Sequence, residues 1–282
     1  MTDSTHSKIT GTTTLFGCMA YPAGHVRAPM IFNSIFQEQN LDKVMVAMSV
    51  PAEGLAAYVE GLRALTNFKG AAVTIPHKMP LAALCDELGA GAQAAEAVNA
   101  VAFTADRRLI GDNFDGEGFV AGLRGENPFN APRDKIFTGK RALLVGAGGA
   151  ARAIALALSR CDLAQIDITN RTPANAEKAV RLAKKIVPNA PAQSTAGADV
   201  DFASYDMVIN ATPLGLHKED SMPFDVRSLS ADCLVCDIIM VPERTALIDA
   251  AEVRGLNVHL GRHMLDYQMQ LIGEFIGALE AR

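Results

Sequence analysis

The segment RALLVGAGGAARAIALALS, residues 141–159, constrains the fold more than any other stretch of the chain. An apolar strand, Ala142 to Val145, runs into Gly146, Gly148 and Ala151 in the pattern G-x-G-x-x-A, and a helical apolar period follows at once. Gly146 permits the tight turn, Gly148 lets the backbone approach a pyrophosphate, and the small Ala151 lets helix and strand pack closely. The helix start then offers free N–H groups and the positive end of its dipole to phosphate. Strand before and helix after are the context that gives this motif its meaning. The next strand, QIDI, ends at TNRT. Where an NAD site usually places a carboxylate for the ribose 2′-hydroxyl, this chain has Asn170 and Arg171, then Thr172. A guanidinium suits a 2′-phosphate, so the pattern favours NADP over NAD.

The same alternation of strands and helices extends in both directions. KVMVAMSV, GAAVTI and AVNAVAF read as strands, and APMIFNSIFQEQN, PAEGLAAYVEGLRAL and DGEGFVAGLRG as helices. Later come the strands YDMVINAT and CLVCDIIM, the helix PERTALIDAAEVRG and a closing helix, HMLDYQMQLIGEFIGALEAR. Such alternation implies parallel strands with crossover helices. GENPFNAPRDKIFTGK, residues 125–140, reads as a linker. The expected fold class is α/β with two domains. The first is an α/β substrate domain, residues 1–115, with a mostly parallel sheet and with residues 256–282 returning to it. The second is a Rossmann domain, residues 116–255.

A net charge of −5 argues against nucleic acid as a partner. No run approaches 18 consecutive apolar residues, so no membrane span is expected. The polar N-terminus reads as a loose tail without signal-peptide order. Five cysteines lack framework spacing. Cys233 and Cys236 form C-x-x-C, but inside an apolar run typical of a buried strand and with no second pair, so no metal site is expected. A reducing cytoplasm fits this usage. The expected partner is a small cyclic hydroxy acid or polyol, and the expected state is monomer or homodimer.

The earlier half carries the polar chemistry. VTIPHK ends a strand and turns into Lys78, AVNA places Asn99 on the next strand, and GDNFDGEG brings Asn113 and Asp115 before a helix. In open parallel sheets ligands gather beyond the carboxyl ends of strands, where Lys78, Asn99 and Asp115 all fall. A lysine near a carboxylate is suited to give and take the proton of a carbonyl reduction.

From Gly17 to Gln268 the chain resembles the shikimate dehydrogenase family, through VTIPHK, NFDG, GAGGAAR, NRT, NATPLG, PERTALIDAA and GRHMLDYQ. The resemblance implies reversible, NADP-dependent reduction of 3-dehydroshikimate to shikimate, or of a closely related cyclic substrate. It makes Lys78 the catalytic lysine and Asp115 its partner at the substrate hydroxyls. Thr74, Asn99 and Gln268 match substrate-contacting positions. Gly146, Ala147, Gly148, Gly149, Ala150, Asn170, Arg171, Thr172, Thr212, Ile238 and His263 match the cofactor site.

Several residues depart from the family pattern. Where the family has Ser-x-Ser-Pro binding the substrate carboxylate, this chain reads Val26-Arg27-Ala28-Pro29, followed by the matching Asn33. A hydrogen bond to a charged group contributes roughly 1.5–3 kcal/mol, so two lost hydroxyls cost ~3–6 kcal/mol for an unchanged substrate. Met240 stands for a tyrosine beside substrate and nicotinamide, Phe114 for a threonine, His263 for a glycine, and Asn175 for a second arginine found in many NADP-using members. Two explanations compete. Arg27 or His25 holds the carboxylate by charge, or the pocket is more apolar and takes quinate or another ring alcohol. Arg262 and His263 are further groups in reach of that question. The contrasting class is a homologue that binds nucleotide without turnover, against which the retention of Lys78 and Asp115 speaks.

Overall fold

The computed structural model describes residues 9–197 and 200–280. The tail expected at the N-terminus lies outside the described residues as far as residue 8. The residues after it are anchored: the Thr12 and Thr13 hydroxyls donate to the Asp42 carboxylate at 2.8 and 2.6 Å. The chain divides into two compact units. Residues up to Asn113 with those from Met269 onward form one, and Phe114–Gln268 form the other.

The first unit runs β1 (Thr14–Ala20), α1 (Ala28–Glu38), β2 (Lys43–Ser49), α2 (Leu55–Ala64), β3 (Phe68–Val73), α3 (Lys78–Ala82), β4 (Glu87–Leu88), α4 (Ala90–Ala95), β5 (Ala100–Phe103) and β6 (Leu109–Asp112). Its sheet has the order β2-β1-β3-β5-β6-β4. β1 pairs in parallel with β2 and β3, and β4 with β6, but β5 lies antiparallel to both neighbours. The sheet is thus mostly parallel, as expected, with β5 the exception. The cause is a short connection, where Thr104 N donates to Arg108 O at 3.0 Å and Arg107 adopts φ 65°. A link that short can only return antiparallel. α1 buries Phe32 and Phe36 against Phe16 of β1, with ring centroids 5.9 and 6.1 Å apart along the row. That row holds α1 against the sheet by apolar burial.

The second unit runs α5 (Asp115–Glu126), β7 (Arg141–Val145), α6 (Gly149–Ser159), β8 (Gln165–Thr169), α7 (Pro173–Ile186), β9 (Ala192–Ser194), β10 (Met207–Asn210), β11 (Leu234–Asp237), α8 (Ala246–Val253) and β12 (Val258–His259). α9 (Gly261–Phe275) begins here and ends in the first unit. The sheet order is β12-β11-β10-β7-β8-β9, parallel throughout. The strand order reverses beside β7, which makes its carboxyl end a topological switch point.

Three boundaries differ from the sequence reading. Residues 125–140 are no linker between domains. α5 continues to Glu126, and Ile136 and Phe137 are buried in the core with Phe119 and Leu158. Phe114 and Asp115 group with the second unit, because α5 packs on α6 within it. The return to the first unit begins at 269, not 256, since Val258 and His259 pair with β11. Cys233 and Cys236 are fully buried, Cys236 within β11, and burial pushes the Cys233 thiol up to about 12. No helix among the described residues is long and apolar enough to cross a membrane.

Candidate active site

In the first unit, backbone bonds carry the pairing of β1 and β3 past their carboxyl ends. Thr74 N donates to Met19 O at 3.0 Å and Tyr21 N to Ile75 O at 3.2 Å. Val73 N bonds Asn99 O at 2.8 Å, and Val98 N bonds Lys78 O at 2.9 Å. These links gather Thr74, Lys78 and Asn99 at one end of the sheet. Lys78 opens α3, and the buried His77 before it donates from Nε2 to Val50 O at 2.7 Å, fixing the turn. Thr74 and Lys78 are half-buried and Asn99 is buried.

The loop after β1 passes through a short 3-10 turn, Ala23–His25, and reaches α1 at Ala28. Val26 is half-buried, Ala28 buried and Arg27 exposed at the N-cap, with no side-chain cap bond. The Arg27 guanidinium has no ion pair among the described residues. Asn33 clamps α1 to β2: its Nδ2 donates to Met45 O and its Oδ1 accepts from Met45 N, both at 2.8 Å. Tyr21 and Ile75 stand exposed on the loops after β1 and β3, and Met79 is exposed in the first turn of α3.

In the second unit, Gly146 has φ 116°, and a Cβ there would lie 2.6 Å from Ala211 O. Only glycine fits that turn. Gly148 is exposed and extended, and a Cβ on it would meet nothing within 4 Å. The space over the start of α6 is therefore open, with Ala147 and Ala151 buried behind it and Gly149 and Ala150 half-buried. This cradle suits a pyrophosphate held by backbone N–H groups. At the end of β8, Asn170 Nδ2 donates to Thr172 O at 2.9 Å, and Arg171 is exposed with no ion pair among the described residues. The residues present fit a dinucleotide with a 2′-phosphate.

A buried polar network holds the loops after β10 and β11. Asn210 Oδ1 accepts from Thr212 N at 3.0 Å and Thr212 Oγ1 at 2.7 Å, while its Nδ2 donates to Asp237 Oδ1 at 3.2 Å. Asp237 also accepts from Ile239 N at 3.0 Å and Thr245 Oγ1 at 2.7 Å. Burial raises the Asp237 carboxyl above its usual range, against the pull of those three bonds. Asn210, Asp237 and Thr245 escaped the sequence reading. Their signal was a polar residue at the end of each apolar run, MVIN and LVCD.

Asp115 opens α5 and is 4 % exposed, as is Gln268 on α9. Ile238 and Met240 pack partly buried against the core of this unit. His263 stacks on His259 at 4.9 Å and 28°, its Nδ1 3.5 Å from Glu126. Arg262 is paired with Glu243 at 2.9 Å. Thr74, Lys78 and Asn99 thus share the first unit, whereas Asp115, Gln268 and every candidate cofactor residue belong to the second.

An all-parallel sheet with a glycine turn at its switch point, joined to a unit bearing a lysine and amide donors at strand ends, defines a dinucleotide-dependent oxidoreductase. Residues 18–101 match the family model for the shikimate dehydrogenase substrate binding domain, and residues 132–238 the model for shikimate / quinate 5-dehydrogenase. A shikimate dehydrogenase (NADP(+)) of Rubrobacter xylanophilus is 39% identical over 271 residues, covering 93% of this chain and 89% of that one. Shikimate 5-dehydrogenase from Listeria monocytogenes, solved with shikimate and NAD, has a TM-score of 0.84 at 28% identity, covering 98% of this chain and 95% of that one. The ligand-free 5-ketofructose reductase of Gluconobacter sp. has a TM-score of 0.78 at 30% identity, covering 93% and 92%. The chain belongs to the shikimate dehydrogenase family.

Proposed function

We propose that the protein catalyses reversible hydride transfer between NADP(H) and a secondary alcohol of shikimate type, with 3-dehydroshikimate and shikimate as the leading pair. The observation that carries this reading is the grouping of Thr74, Lys78 and Asn99 where β1 and β3 end and the antiparallel β5 begins, tied by the Val98 N to Lys78 O bond. NADP, when bound, supplies or accepts the hydride. Gly146 to Ala150 hold its pyrophosphate, Asn170, Arg171 and Thr172 its 2′-phosphate, and Thr212, Ile238 and His263 belong to the nicotinamide side. Lys78 Nζ takes the hydroxyl proton during oxidation and returns it during reduction. Asp115 orients the substrate hydroxyl, and Thr74, Asn99 and Gln268 bind the remaining polar edge. Val26, Arg27, Ala28 and Met240 set which substrate enters.

One observation favours a second reading. Val26 and Ala28 offer only hydrocarbon, and the likeness to a 5-ketofructose reductase adds an uncharged ketone to the candidates. Nicotinamide absorbance with purified protein separates the two, using NADP⁺ and NAD⁺ against shikimate, quinate and uncharged polyols. Efficient NADP⁺-linked oxidation of shikimate supports the first reading, with Arg27, His25 or another group in place of the two missing hydroxyls. Turnover confined to uncharged polyols supports the second. No turnover across the panel and its corresponding ketones would sink both.

A further inference from the structure

α5 and α9 approach each other more closely than helices bearing ordinary side chains can. A Cβ on Gly118 would lie 2.7 Å from Met264 O, 2.7 Å from Gln268 Cβ and 3.1 Å from Gln268 N. Two of those three atoms are backbone and the third is rigidly attached to it, so no rotamer change relieves the overlap. One turn on, a Cβ on Gly122 would meet His263 Cβ at 3.2 Å and His259 Nε2 at 3.2 Å, a milder crowding. At Gly125 the obstacle is the hydroxyl end of Tyr267, which can swing away. The contact is therefore least yielding at Gly118, where the obstacles are backbone atoms and a Cβ and not the far end of a side chain.

That point is also where the candidate chemistry lies. Asp115 stands three residues before Gly118, on the same side of α5 at i, i+3 spacing. Gln268 is the residue pressed against Gly118, and it is as deeply buried as Asp115. α9 has little freedom to compensate. Its first residue, Gly261, would place a Cβ 2.3 Å from Ile239 O, so the helix start rests on the loop after β11. Farther along, His263 is stacked on His259, and Tyr267 OH donates to Glu126 at 3.4 Å.

We infer that Gly118 is a positioning residue for the reaction: it sets the depth at which α9 lies on α5 and thereby places Gln268 against the substrate. The inference rests on the reading that Gln268 contacts substrate. A side chain at Gly118 moves the Gln268 backbone, so its effect passes through Gln268 and disappears when the amide is already gone.

The test is a double-mutant cycle on the full chain with shikimate and NADP⁺, or with the alcohol the panel identifies. Gln268→Ala raises KM for the alcohol about tenfold, with NADP⁺ affinity within about twofold of the parent. Gly118→Ala raises KM to a similar extent, and in the Gln268→Ala background it adds less than about twofold. Gly125→Ala serves as the control for a small helix substitution and leaves both constants in place. Should Gly118→Ala fail to fold, Gly122→Ala takes its place, with a smaller KM rise that also vanishes in the Gln268→Ala background. Full multiplication of the two effects in the double variant, or an unchanged KM in the folded single glycine variant, overturns the inference. An unchanged KM for Gln268→Ala overturns the substrate contact on which it rests. That outcome differs from the others because it leaves the glycine cycle with nothing to report.

Discussion

The two units hold their ligand groups by different means. In the second, recognition is written in the backbone: a glycine at φ 116°, an exposed glycine with open space beside it, and the free N–H groups of α6. In the first, the groups are side chains, Thr74 and Asn99 on the connections beside β3 and β5 and Lys78 at the start of α3, held together by backbone hydrogen bonds. Backbone recognition admits few sequences, because only glycine adopts those angles or tolerates that approach. Side-chain recognition changes by point substitution while the fold stays, so the first unit is where specificity can drift. Val26, Arg27 and Ala28 lie on that drifting side.

The largest effect that would sharpen the contrast concerns a residue of the second unit given a substrate role. Asp115→Ala lowers kcat/KM for the alcohol by about 10²–10⁴ with NADP⁺ affinity unchanged, measured by steady-state kinetics and fluorescence titration. Weakened cofactor binding instead would show that Asp115 serves the dinucleotide. Next comes Gly148→Asp. Its carboxylate stands over the helix start in open space, so NADP⁺ affinity falls by about 10- to 100-fold while the melting temperature holds. An unchanged affinity would remove the phosphate from that cradle. Arg171→Ala lowers the preference for NADP⁺ over NAD⁺ by about tenfold through the loss of one charge-assisted contact. An undiminished preference would assign the 2′-phosphate elsewhere.

A further effect is on stability and not on binding or turnover. His259 is buried, its Nε2 has no hydrogen-bond partner among the described residues, and burial lowers its pKa to about 3. The unfolded chain binds this proton near pH 6.5, whereas the folded chain does not until about pH 3. Stability is therefore full above pH 6.5 and falls as pH drops through that window, by up to about 1.4 kcal/mol per unit from this group. His259→Phe flattens the decline in urea titrations between pH 7 and pH 4.5. An equal decline in both proteins would place the acid sensitivity in other groups.

The unequal legibility of the two units follows from the same contrast. ALLVGAGGAAR could be read from physical chemistry alone, since Gly146 and Gly148 each have a steric reason and the flanking periods mark strand and helix. Lys78 and Asn99 could be placed at strand ends and a proton role suggested for the lysine, but the substrate role of Asn99 came from resemblance, because an amide beside a strand has no unique chemistry. β5 was found but its direction was not: strand periodicity carries no sign, and the turn at Thr104–Arg108 decides it. β6, LIGD, and the two-residue β4 are too short to show a period. The supposed linker misled because Pro, Gly and Asn mark turns whether or not a domain ends there, and Ile136 and Phe137 were its concealed core residues. The Asn210–Asp237–Thr245 network joins residues far apart in sequence, a pairing that no local pattern announces.

Lys78→Ala, measured for both NADP⁺ binding and turnover of the same preparation, tests the division of labour most directly. A loss of turnover of about 10²-fold or more, with NADP⁺ affinity within about twofold of the parent, is the result expected of a proton carrier on the first unit. Undiminished NADP⁺-dependent turnover would contradict it.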